Sequence, residues 1–271
     1  MGSLGLFVKE SGCSAEGCAL ARFAIGLLLL AGLSCRALRA AAFRFSPSSA
    51  LSGVGIALCI LFYFMAMERI PIGLAALLLY TGPLFAALGE ALVARRCPGR
   101  RELLLLAAAA AGIVLVSCGG AGLPGAGGSA WGLLLGLLSG LFYAVYILLN
   151  RLIPEGVPLT LRTFWQFAAG TLVLLLPLLR TEAPFAGLAA GWPFVLCIGV
   201  LQGYAVLLLV AYAVRRLNTV QYGSVSYLEP VVAVALGWAL YHEGMQPLQW
   251  GGVALVIAAS LAQSLLPPKQ S

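Results

Sequence analysis

The sequence predicts an all-α integral membrane protein made of two inverted repeats of about five transmembrane helices. Its first helix is truncated or missing, which leaves nine complete spans. Three observations predict this. The composition suits a chain solvated by lipid: 62% of the 271 residues are hydrophobic and 9% are charged, with a mean hydropathy of +1.02. Apolar runs long enough to cross a bilayer recur with little between them. One element of fixed grammar occurs twice, 147 positions apart.

Composition excludes much. A water-facing surface needs roughly a quarter of its residues charged. Asp is absent, and His occurs once, at His242. The polar stretches between apolar runs are too short to bury a separate soluble core. The net charge of +7 is no sign of nucleic acid, because membrane insertion explains where most of the Arg and Lys lie. The seven Cys form no CxxC pair, and reading them as small apolar residues outweighs a metal or redox site. Cys13 and Cys18 share one predicted loop, and nothing requires them to pair.

The spans follow in order. The first complete one, 18–35, carries Arg22 near its start and runs into the Arg-rich turn before Ser46-Pro47-Ser48. Span 50–67 stops at Glu68-Arg69, ahead of Pro71. Span 72–94 stops before Cys97-Pro98-Gly99, and 102–119 runs into a Gly-rich stretch. Span 130–152 ends at Pro154 and Pro158, and 160–179 ends before Pro184. Span 192–213 ends at Arg215-Arg216, followed by 219–241, and Pro247 opens 247–266. The domains expected are a first repeat at 1–119 lacking most of its first helix, a Gly-rich linker at 120–129, and a second repeat at 130–271. Gly132, Gly136 and Gly140 recur at helix spacing and read as a close packing surface.

Charge sets the expected orientation. Arg36, Arg39, Arg44, Arg95, Arg96, Arg100, Arg101, Arg151, Arg162, Arg215, Arg216 and Lys269 fall in one alternating set of loops. The other set holds Lys9, Arg69 and Arg180, with Arg22 just inside a span. The positive-inside rule places the first set, and the C-terminus, in the cytoplasm.

The repeated element reads Ala66, Arg69, Ile70, Tyr80, Pro83, Ala86 and then Ala213, Arg216, Leu217, Tyr227, Pro230, Ala233. Span 72–94 runs inward and span 219–241 outward, five crossings apart, so the copies are inverted. Inverted halves suit a carrier that rocks about a shared site. The second half has about five spans and the first only four. Residues 2–8 are apolar yet reach about a third of the way across in a helix. They look like the outer end of a missing span, as in a truncated form or a chain whose true start lies upstream.

With these residues on the page, the chain resembles the drug/metabolite transporter superfamily, EamA type. The resemblance is carried by Ala21-Arg22-Phe23, by Glu68-Arg69-Ile70-Pro71-Ile72-Gly73 and by Tyr80-Thr81-Gly82-Pro83. It is clearest at Tyr227-Leu228-Glu229-Pro230, then Glu243, then Gln249-Trp250-Gly251-Gly252. It implies ten helices and export of amino acids or other metabolites. Where the family's first half usually has a Glu matching Glu243, this chain has Arg96.

Glu229 is the leading candidate for a site. It sits near mid-span, where an ionised group is costly and marks a substrate or proton pathway, and Pro230 beside it frees backbone groups. Its carboxyl is the candidate for proton coupling. The alternative is a protonated Glu bonded to a neighbouring helix. Tyr222, Ser226 and Glu229 share one helix face. Tyr80 and Tyr227 are symmetry counterparts able to bond or stack on a solute. Gln202 and Tyr204 lie mid-span, and Gln202 leans toward a helix–helix bond. All seven are candidate substrate-binding residues, with helix packing as the alternative for each. Tyr143 and Asn150 share a face. Trp165 and Gln166 read as interfacial, and Arg22 as an anchor near the outer end of its span.

The expected function is a secondary transporter exporting a small organic solute by alternating access, from the inner (plasma) membrane. No GxxxxGK[ST] loop is present, so an ATP-driven pump is out. No cofactor or metal is expected. The partners are the substrate and the bilayer, without nucleic acid, and a homodimer is one assembly it could form. The alternatives are a lipid flippase-like or non-transporting membrane subunit and, further off, an intramembrane lipid enzyme, for which no nucleophile–base set or metal cluster exists.

Overall fold

A computed structural model describes residues 4–35, 45–82, 129–154, 156–206 and 246–265, with scattered positions between 85 and 115 and between 209 and 240. The described residues form helices and connecting turns. They are α1 (Leu4–Ser11), α2 (Ala15–Leu33), α3 (Pro47–Met67), α4 (Ile72–Leu79), α5 (Ala130–Arg151), α6 (Leu159–Leu178), α7 (Leu188–Leu196) and α8 (Pro247–Leu265). α7 continues without a break as a π-helix, Cys197–Ala205. Among the described residues, five helices are long and apolar enough to cross a bilayer: α2, α3, α5, α6, and α7 with its π-helical extension. Each begins within a few residues of its expected span. Helices in lipid satisfy their own backbone groups, which is why apolar runs of this length take this form.

The turns at one end of the bundle are bonded to one another. Ser14 caps α2, its hydroxyl accepting from the Gly17 amide at 3.1 Å, while the Ser14 amide donates to the Pro184 carbonyl at 3.0 Å. The Ala15 amide donates to the Glu68 carboxylate at 2.9 Å. Gly12 sits at φ +62, a left-handed turn open to glycine, and a Cβ on Gly187 would collide with it. This Ser14 end therefore joins the α1–α2, α3–α4 and α6–α7 turns. α2 and α7 run away from it and α3 and α6 run toward it. α3 and α7 thus run in opposite directions.

α3 is the central helix, packed along α5 and α6 and against α2, while α2 also packs on α6 and on the π-helix. Phe64, Leu30, Leu77 and Leu135 are fully buried between these helices. Glycines let them approach closely. A Cβ on Gly53 would fall on the Gln166 backbone, and one on Gly136 would lie 2.5 Å from Leu78 Cδ1. Gly132 and Gly140 likewise sit against Ile70 and Thr81, so the expected small-residue surface is the α4–α5 seam. Leu28, Leu172, Leu176, Trp131 and Trp192 are exposed, an apolar exterior suited to lipid.

Span 72–94 departs from the single helix expected. α4 stops at Leu79. The Thr81 amide bonds the Leu78 carbonyl at 3.2 Å in a tighter turn, and helical bonding resumes from the Thr81 carbonyl to the Phe85 amide at 3.1 Å. The Thr81 hydroxyl also donates to Leu78 O at 2.6 Å. Pro83 has no N–H for the Leu79 carbonyl, so the sequence itself prevents an unbroken ladder.

Candidate functional site

A cavity of about 40 Å³ lies between α2, α3, α5, α6 and the π-helix. α2 contributes Arg22 and Phe23, α3 contributes Ile56 and Ile60, and α5 contributes Tyr146. Gln166 and Phe167 come from α6 and Gly203 from the π-helix. No single helix could build this wall; it needs close crossings. A Cβ on Gly203 would lie 2.6 Å from the Arg22 carbonyl oxygen, and one on Gly170 would lie 2.6 Å from Phe23 Cδ1. Phe23 and Phe167 meet edge to face at 5.4 Å, forming an apolar side.

The opposite character comes from a bonded polar set. Gln166 Nε2 donates to Ser52 Oγ at 2.9 Å and to Asn150 Oδ1 at 3.1 Å. Asn150 Nδ2 in turn donates to the Tyr146 carbonyl at 2.9 Å. Ser52 donates to the Ser49 carbonyl at 2.9 Å, and the Ser49 and Ser46 hydroxyls meet at 2.7 Å. Buried polar groups follow α3 from the cavity to its N-terminal cap, each with a partner, as burial demands.

Two residues stand elsewhere than expected. Gln166 is 7% exposed and is bonded to two other helices, so it is not interfacial. Its amide finds better partners in Ser52 and Asn150 than at the bilayer surface. Arg22 is also 7% exposed and faces the cavity, not a lipid headgroup. It is the eighth residue of α2, about 10 Å along the axis from the first. Nothing in the sequence signalled the inward face of either residue except the polar type itself at span depth.

The candidate binding residues divide. Tyr80 is 8% exposed at the break after α4. That break touches α5, where a Cβ on Gly82 would lie 2.5 Å from Tyr143 Cδ1. Tyr143 stacks on the cavity residue Tyr146 at 6.1 Å and 12°. Gln202 is 4% exposed and Tyr204 is half-buried against the core; both flank Gly203 on the π-helix. Such helices are rare and recur at functional sites. None of the three lines the cavity. Tyr222, Ser226, Tyr227 and Glu229 lie outside the described residues, as do linker residues 120–128 and His242. No group of three or more His, Cys or acidic side chains able to hold a metal occurs among the described residues.

Comparison with known proteins places this architecture. Residues 130–264 match the EamA-like transporter family. The chain is 26% identical over 209 residues to the uncharacterized inner membrane transporter YedA of Escherichia coli K12, covering 74% of this chain and 66% of that one, just under two thirds. It is 27% identical over 221 residues to the threonine/homoserine exporter RhtA of the same strain, covering 77% and 68%. An uncharacterized transporter of Archaeoglobus fulgidus is 23% identical over 263 residues, covering 96% and 91%. A crystal structure at 20% identity superposes with a TM-score of 0.64 over 97% of this chain and 92% of that chain, which shows a shared fold. Residues 130–264 thus carry the likeness to the EamA-like transporter family, and the relatives named as transporters point to a transporter and not to an enzyme.

Proposed function

We propose that the chain is a secondary transporter that exports a small organic solute, an amino acid or related metabolite, by alternating access. The observation that carries this reading is the cavity walled by Arg22, Tyr146 and Gln166 where five helices converge. A charged side chain at such depth costs about 2.5–3.5 kcal/mol on insertion scales and marks pathways across membranes. The opposed directions of α3 and α7 support two inverted halves that exchange access about this cavity. The likeness to a protein named as a threonine/homoserine exporter favours amino-acid-like cargo. On this reading the nine spans sit in the inner membrane with the C-terminus cytoplasmic, and Glu229 carries the coupling proton.

The test is efflux from proteoliposomes under an imposed pH gradient, with solutes chosen by a growth-resistance screen against toxic amino acids and metabolites. Glu229→Gln is expected to abolish coupled efflux while membrane insertion stays intact. Wild-type efflux from that variant would remove the coupling role. Movement of labelled lipid in place of any solute would replace the carrier by a flippase.

A further inference from the structure

Resting on the transporter reading above, we propose that the exported solute carries a carboxylate and that Arg22 is the residue that binds it. Arg22 brings a permanent positive charge to the cavity wall, since a guanidinium is not deprotonated in proteins. Among the described residues lining the cavity it is the one charged side chain. A cationic solute is repelled there, and an anionic one is attracted across a medium of low dielectric. The planar fork of Arg matches the two oxygens of a carboxylate.

The rest of the wall fits the remainder of such a molecule. The Gln166 amide, held in place by Ser52 and Asn150, supplies fixed hydrogen-bonding capacity beside the charge. Phe23 and Phe167 supply an apolar face on the other side. Size narrows the headgroup. At roughly 10–15 Å³ for each enclosed water, a cavity of about 40 Å³ has room for about three. That suits a carboxylate and is tight for a tetrahedral phosphate, whose second charge also has no second cation on the described wall. The body of the solute enters when the helices part.

The test uses the purified full chain in nanodiscs and follows its melting temperature with acetate, phenylacetate, phenylalanine, phenylacetamide, phenethylamine and phenyl phosphate. Carboxylates are expected to raise it saturably, with phenylacetamide and phenethylamine at least about tenfold weaker. Arg22→Gln is expected to weaken the carboxylate response at least about tenfold, and Arg22→Lys to retain part of it. If Arg22→Gln does not fold, Gln166→Glu serves in its place: a resident carboxylate in the same wall should compete and remove the response. A response to the amide or amine equal to that of phenylacetate overturns the assignment. So does a response to phenyl phosphate alone, an unchanged response in Arg22→Gln or Gln166→Glu, or silence across all three carboxylates. The two readings fail separately. Efflux of a neutral or cationic solute, unchanged in Arg22→Gln, keeps the transporter and removes the carboxylate. Arg22-dependent binding of phenylacetate by a chain that moves no solute does the reverse.

Discussion

The amide of Ala15 donates to Glu68 Oε1 at 2.9 Å, tying the first turn of α2 to the turn that ends α3. Glu68 also pairs with Arg69 at 3.0 Å. The first-turn amides of a helix lack intrahelical acceptors, and a carboxylate there also meets the positive end of the helix dipole. Glu68 is 40% exposed, so the pairing with Arg69 adds little and the cap dominates. Glu68→Ala is expected to cost about 1 kcal/mol, read as a fall of about 2–4 °C in melting temperature for a chain of this size. Glu68→Gln keeps an acceptor oxygen and should recover part of the loss. Identical melting of all three proteins would show that the bond does not hold this end together.

Gly203 and Gly32 make a matched pair of helical glycines. A Cβ on Gly203 would meet the Arg22 carbonyl oxygen at 2.6 Å, whereas one on Gly32 would meet nothing within 4 Å. Gly203→Ala must push the π-helix away from α2, at about 1–3 kcal/mol by analogy with overpacked cores, and should lower efflux. Gly32→Ala should be neutral or stabilising by about 0.5–1 kcal/mol, because alanine loses less backbone freedom on folding. Equal tolerance at both positions in thermal melts would contradict the close crossing that shapes the cavity wall.

How far the sequence reaches is clear from particular residues. Apolar length and turn chemistry located α2, α3, α5, α6 and α7 to within a few residues, since crossing a bilayer fixes helix length. Span 72–94 was expected as one helix, and the break after α4 has its cause in the missing backbone donor of Pro83. Arg22 and Gln166 were placed along the chain but not around the helix axis. In α2, α3 and α6 most positions are apolar all round the helix, so periodicity does not separate the face toward lipid from the face toward protein. The partner of Gln166 is Ser52, 114 positions away, and no local pattern announces a contact at that separation. Tyr222, Ser226, Tyr227 and Glu229 stand as sequence expectations.

The Gln166–Ser52 bond offers a measure of how much the polar set contributes. Hydrogen bonds between membrane helices average about 0.6 kcal/mol because the separated helices also find partners. A double-mutant cycle of Gln166→Leu and Ser52→Ala should therefore give a coupling near that value, with Asn150 retaining its bond to the Tyr146 carbonyl. A coupling of zero would mean that the two side chains act independently and that α3 and α6 are held by their glycine contacts alone.

Cys13 lies between α1 and α2, outside the membrane-spanning segments, and Cys35 follows the far end of α2. Burial raises the Cys13 thiol above its ordinary range, partly offset by hydrogen bonding from Ser11 and from the Gly187 backbone. The thiolate is the nucleophile, so alkylation of a variant retaining only Cys13 should lag behind a free thiol at pH 7 to 8. It should keep rising as pH passes the ordinary thiol value of about 8.5. The protonated thiol is the form the fold favours, so its contribution to stability is complete below the unfolded-state pKa and is lost as pH climbs through the raised one. A variant retaining only Cys35 reports the opposite end. In sealed cells at pH 9, an impermeant maleimide should reach Cys13 directly and Cys35 only after permeabilisation. Labelling of both from one side would contradict a membrane-spanning α2, and the reverse pattern would turn the whole bundle over.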